Sequence, residues 1–194
     1  MASSTPASPY LPSSLQDHFL LSMPHLNDTN FDHTLTYICE HNEYGAMGIV
    51  INRPMDLIIS DLLQHLELDY KAAEKLPVYA GGPVKNDRGF ILHYPTEKVW
   101  DSSYNITDQL SLTTSVDILR EIGQNRAPEQ FLVALGYAGW GVGQLEQEMS
   151  DNVWLSCPAN LDIMFHTPAE ERLQAAAATL GINLNLLTSQ SGHA

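Results

Sequence analysis

Basic residues, cysteines and long apolar runs are all scarce in this chain, and each shortage removes a class of function. Only 9 lysines and arginines stand against 23 aspartates and glutamates, for a formal net charge of -14. Proteins hold duplex nucleic acid chiefly by neutralising its phosphates, so a surface of this sign repels it unless folding gathers a basic patch. The cations are scattered and no two are adjacent; Arg53, Lys85 and Arg88 are the set that folding is best placed to gather. Anionic membrane surfaces are disfavoured on the same ground. Direct nucleic-acid binding and membrane association are therefore not expected.

The two cysteines, Cys39 and Cys157, form no C-x-x-C pair and no zinc-ligand spacing, so they read as packed, reduced thiols. No stretch reaches the ~20 apolar residues of a membrane helix. The opening segment, MASSTPASPYLPSS, lacks the charged and apolar regions of a secretory signal. These features lead to a cytoplasmic protein with a flexible tail over residues 1–14 and a single domain over 15–194.

Catalytic signatures are missing as well. The eight histidines contain no H-E-x-x-H and no H-x-H pair, and no serine sits in a G-x-S-x-G elbow. No catalytic residue, metal ligand or cofactor is assigned.

What is present is an alternation of short strand and helix signals. Apolar runs at 18–23, 33–39, 46–52, 77–80, 89–94, 110–113, 131–135, 153–156 and 163–165 read as strands. The second is expected to be half-buried and to form a hairpin with the third. Helices are expected over 61–67, capped by Ser60, after Thr114 or Ser115, and over 144–151. The last helix shows Thr167 at its N-cap, Pro168 at N1, Glu170 closing a capping box and Gly181 as the C′ residue. Hairpin strands first and interspersed helices later point to an α+β fold with a mixed sheet.

The most unusual segment is GYAGWGVG at 136–143, expected to be a turn between a buried strand and a helix. It misses the third glycine of G-x-G-x-x-G and has no following Lys-Ser/Thr pair, so neither nucleotide fingerprint fits. Glu146 and Glu148 in the following helix would repel a phosphate at its start. The segment reads instead as tight packing or a contact site, with Tyr137 and Trp140 as aromatic anchors beside Gly139, Gly141, Gln144 and Glu146. The alternative is that both rings fill core volume. A second patch is Asn52, Arg53 and Arg88, where the arginines either pair with carboxylates or hold an anionic group.

Several stretches together resemble the YqgE/AlgH family of bacterial proteins: LLSMPHL (20–26), EYGAMGIVINRP (43–54), YAGGPV (79–84), RGFILH (88–93), LGYAGWGVGQLEQE (135–148), NVWLSCPAN (152–160) and the closing GHA. The likeness runs in order from about residue 15 to the end. Leu173 and Val142 depart from it by apolar substitutions only. The resemblance implies a mixed, largely antiparallel sheet curled into a barrel-like core with flanking helices. It carries over no catalytic residue; one branch is named for regulating alginate production, which implies a role in gene expression.

The leading expectation is a non-enzymatic regulatory protein that binds a protein partner or small molecule. One alternative is an enzyme, of hydrolytic type, whose site is assembled from distant residues with His93 or His166 as base. A second is a direct DNA-binding regulator.

Overall fold

The expected hairpin is the seed of the sheet. In the computed structural model, which describes residues 13–24, 31–71 and 75–189, β1 (His18–Ser22) pairs antiparallel with β2 (Leu35–Asn42), and β2 turns back into β3 (Gly45–Val50). β4 (Pro54–Ile58) runs into α1 (Ile59–His65); β5 (Pro77–Ala80), β6 (Val84–His93), β7 (Ser103–Asn105) and β8 (Ser111–Thr113) follow. After α2 (Val116–Gly123) comes the long β9 (Phe131–Trp140), then α3 (Gln144–Ser150), β10 (Trp154–Pro158), α4 (Leu161–His166), α5 (Ala169–Thr179) and α6 (Leu184–Ser189).

The strands lie in the order β10-β1-β2-β3-β9-β6-β8-β7. β5 adds to β9 in parallel through Tyr79↔Ala134 and Ala80↔Leu135, with β4 hanging on β5; every other pairing is antiparallel. The sheet curls into a half-barrel flanked by helices, the expected α+β architecture.

Strand alternation divides the core. Leu132 and Ala134 of β9 share a cluster with Leu35, Tyr37 and Cys39 of β2 and with Ala176 and Ala177 of α5. Val133, of opposite parity, packs with Ile59 and Leu63 of α1 and Ile118 and Ile122 of α2. A third cluster joins Leu20, Ile38, Trp140 and Trp154 to Leu145 and Met149 of α3. β2 is therefore buried on both faces from Leu35 to Cys39, not half-buried as its polar alternation suggested, because Thr36 and Ile38 on the opposite face also lie inside. Both cysteines are free and buried, and burial pushes both thiols up from their ordinary range.

Other expectations shift for local reasons. Helix α1 starts at Ile59, so Ser60 lies inside its first turn; β4 feeds the helix directly, with Ile58 at the N-cap. Residues 163–165 belong to helix α4, not to a strand: Asn160 caps that helix by accepting from the amides of Asp162 and Ile163. A three-residue apolar run cannot separate the two conformations. Thr167 is the C-cap of α4 and turns its hydroxyl back to the Asp162 carbonyl, so α5 takes Pro168 as its N-cap instead. Gly181 does follow the C-cap of α5 in the left-handed region, at φ +72. β4, β7 and α6 were not anticipated, and residues 1–12 of the expected tail and the closing GHA lie outside the described residues.

Candidate functional site

Residues 136–143 are not one turn. β9 continues through Gly136 to Trp140, and only 141–143 connect it to α3. The glycines earn this by close approach at one point: Gly136 sits at φ +77, and a Cβ there would lie 2.3 Å from the Gly82 carbonyl oxygen. That crossing of two backbones needs Gly82 as well, which sits at φ +153.

Extended structure from 136 to 140 splits the expected aromatic pair. Tyr137 and Gly139 point to one face, Ala138 and Trp140 to the other. The register across three strands extends each face into a row. Glu40 lies opposite Met47, which lies opposite Gly139; His41 lies opposite Ala46, which lies opposite Trp140. A bulge in β2 between Ile38 and Glu40 sets this alignment.

The Trp140 row is sealed under α3. Trp140 is buried, with Phe31 at 6.2 Å and Trp154 at 6.1 Å between ring centroids. Its Nε1 donates to Glu148 Oε2 at 2.9 Å, and Trp154 Nε1 donates to the same oxygen at 2.8 Å. Glu148 Oε1 accepts from Gln144 Nε2 at 3.0 Å, while Gln144 Oε1 accepts from the Gly141 amide at 3.0 Å. Next to this clamp, the Leu15 amide donates to Nδ1 of buried His41, which leaves Nε2–H to donate to Glu146 Oε1 at 2.7 Å. The backbone amide of Glu146 and then His41 hold its carboxyl below the usual range. Trp140, Gly141, Gln144 and Glu146 therefore serve the docking of α3, and Trp140 takes the core-filling role that was the alternative reading.

The Glu40–Met47–Gly139 row borders an open cleft of about 560 Å³. Tyr137 forms part of its wall, half-buried and edge-to-face with Phe90 at 5.3 Å. Tyr44, in the hairpin turn, is 78% exposed at the rim. Glu40 accepts from Asn42 Nδ2 at 2.9 Å at the same rim. A Cβ on Gly139 would meet only the edge of the Tyr137 ring at 3.3 Å and Val84 at 3.9 Å, so the floor is open. Glu40 lay outside every motif, and Tyr44 and Met47 lay within the EYGAMGIVINRP stretch without being singled out. Their signal was the hairpin register, legible only once its partner strand is known.

The second expected patch does not assemble. Asn52 accepts from the Leu35 amide and donates to the His33 carbonyl, which ties β3's exit to β2. Arg53 donates to the Asp32 carbonyl. Arg88 donates to Thr114 Oγ1 at 3.3 Å and shares a different cleft with Lys85 and Asp87. Of the two histidines considered as bases, His93 is buried between the Tyr94 carbonyl and Thr113 Oγ1, whereas His166 is half-exposed, 4.0 Å from Asp162. Among the described residues no helix is long and apolar enough to cross a membrane.

Fold and cleft define a class: a curled mixed-sheet α+β domain with an open groove at the end of its glycine-rich central strand. The chain belongs to the AlgH-like family, whose model, DUF179, matches residues 19–185. A UPF0301 protein of the bacterium Thioalkalivibrio sulfidiphilus is 54% identical, covering 94% of this chain and 98% of its own. Another, from Pseudomonas fluorescens Pf-5, is 52% identical over 94% and 97%. The solution structure of the AlgH protein from Pseudomonas aeruginosa matches with a TM-score of 0.77 at 49% identity, over 97% of this chain and 100% of that one. A Corynebacterium diphtheriae crystal structure shares the fold at a TM-score of 0.70 and 19% identity.

Proposed function

We propose that this protein is a non-enzymatic cytoplasmic regulator that takes a partner protein in the cleft between β3 and β9. The observation that supports this is the pairing of an open, uncharged floor at Gly139 with exposed and half-exposed aromatic walls, Tyr44 and Tyr137, and one carboxylate, Glu40. Aromatic side chains on a rigid sheet make effective anchors, because little entropy is lost when they are covered. The cation-attracting ring faces, the Glu40 carboxylate and the net charge of -14 favour a partner segment that brings a basic residue along with an apolar one.

The same charge disfavours DNA as that partner. A mobility-shift assay at low salt, where phosphate attraction is strongest, is expected to show no complex. The positive test is a photo-crosslinking amino acid at Tyr44, with capture in cells and identification by mass spectrometry. Gly139→Val, which puts two methyl groups on the cleft floor, is expected to abolish the captured band. A crosslinker at Arg88, in the other cleft, is expected to miss it. If Gly139→Val folds and captures the same protein at the same yield, the cleft is not the contact site.

A further inference from the structure

A pocket of about 210 Å³ opens between the start of β9 and helices α4 and α5, with Tyr79, Phe131, Met164, Phe165 and Arg172 among its walls. Arg172 is only 6% exposed, yet it forms no ion pair among the described residues. A guanidinium keeps its proton inside a protein, so burial cannot neutralise it, and a buried charge without a counter-ion is costly. Neutral contacts cover part of the group. Its Nε donates to the Thr167 carbonyl at 2.9 Å and Nη1 donates to the Ile51 carbonyl, while the guanidinium carbon lies 5.1 Å from the centre of the Tyr79 ring. These contacts fasten α5 to the exit of β3.

The third nitrogen, Nη2, is left over. It has no hydrogen-bond partner among the described residues, and it is not sealed away: the unpaired side-chain atoms closed to solvent among them are Thr36 Oγ1 and Trp100 Nε1. An unpaired but accessible N–H₂ group on a buried cation in a pocket wall marks a position for an anion. The walls around it are apolar, with Phe131 and Phe165 half-buried and Met164 fully buried. One carboxylate does border the pocket: Glu129, exposed to solvent and shared with the neighbouring cleft that holds Asp108 and Asp162. It forms no ion pair with Arg172, and it opposes any second negative charge on an entering molecule.

We infer that this pocket binds a small organic monocarboxylate with an apolar body, its carboxylate on the free end of the Arg172 guanidinium and its body against Phe131 and Phe165. A planar guanidinium with unspent donors matches a planar carboxylate in both charge and geometry. One cation facing an acidic surface suits a single negative charge and leaves the second charge of a phosphate dianion unpaired. The volume lies below the about 300–1,000 Å³ of sites for drug-sized molecules, so the ligand is small. No residue lining this pocket lines the cleft at Gly139, and neither reading depends on the other.

The test uses the full-length protein labelled with ¹³C-methyl methionine and follows the Met164 methyl signal, assigned by its loss in Met164→Leu. Titration with sodium phenylacetate, at fixed pH and ionic strength, is expected to shift that signal saturably. A dissociation constant of about 0.1–10 mM befits a ligand of this size. The Met47 methyl, in the cleft at Gly139, is expected to stay in place. Phenylacetamide, of the same shape but neutral, is expected to bind about 10-fold more weakly, as is phenylacetate to Arg172→Met. Glu129→Gln, an exposed change, is expected to tighten phenylacetate binding about 2-fold. Should Arg172→Met fail to fold, the comparison of acid with amide on the parent protein carries the same question. No saturable shift with phenylacetate overturns the proposal. So does equal binding of the amide, equal or tighter binding of inorganic phosphate, or unchanged affinity in a folded Arg172→Met.

Discussion

The last four residues of β9 present two faces with opposite fates. On one, Ala138 and Trp140 lie beneath α3, and the only polar atom of the indole is matched to a carboxylate. On the other, Gly139 is exposed and Tyr137, partly buried, lines a cleft. Adjacent residues of similar chemistry thus do different work, because strand parity rather than composition decides which side they serve. Glu148 shows the consequence. It binds two indoles that come from different strands, β9 and β10, and so fastens α3 across the pair.

The sharpest way to break this contrast is to truncate both rings. Trp140→Ala is expected to lose about 3–5 kcal/mol of unfolding free energy, because a buried indole leaves a cavity behind and takes one of its donors from the Glu148 carboxylate. Tyr137→Ala is expected to lose less, about 1–3 kcal/mol, since its ring is only partly buried, against Phe90. Urea denaturation measures both, and equal losses would erase the distinction between the faces. Glu148→Gln comes next, at about 1–3 kcal/mol. The amide keeps one acceptor for the two indoles but turns an N–H₂ group toward Gln144 Nε2, which is itself a donor. A neutral result there would mean that the clamp contributes packing alone.

Much of this architecture was legible beforehand, and the gaps have physical causes. The hairpin, the buried start of β9 and α3 follow from apolar periodicity and turn residues. Composition also foresaw that the Gly136 region needs backbone contact. Sequence could not reveal that the glycine-rich segment stays extended, because glycine reads as a turn signal unless a neighbouring strand is known to occupy its ladder. That single misreading put Tyr137 and Trp140 on one surface. Residues 163–165 misled for a related reason: their helix is set by Asn160, three residues upstream, and not by their own apolarity. The cleft's Glu40 and Met47 were invisible because the bulge in β2 fixes their alignment with Gly139.

A smaller effect separates the sealed face by pH. The Glu146 carboxyl is depressed in the folded state, so the stability it contributes is fully present above its ordinary value of 4.5 and is lost as pH falls through the lower folded value. Glu146 is 55% exposed, so solvent screening limits the pair with His41 to about 0.2–1 kcal/mol. Glu146→Gln is expected to lower stability by that amount at pH 7 and to converge with the parent protein as pH falls below the depressed folded value. Parallel stability curves over this range would show that the pair does not connect His41 to α3 energetically.

The smallest expected change in stability is also the most direct probe of the open face. Gly139→Val adds a β-branched side chain to a strand position whose backbone φ is ordinary, which stabilises by reducing unfolded-state freedom and favouring the extended form. Against that stands the 3.3 Å approach to the Tyr137 ring edge, which a small rotation of that ring relieves. The two effects nearly cancel, so unfolding free energy is expected to move by no more than about 0.5 kcal/mol. Partner capture through the cleft is expected to disappear. A loss of several kcal/mol on the scale of Trp140→Ala would mean instead that Gly139 is enclosed as tightly as its neighbour, and that β9 has no free face to offer.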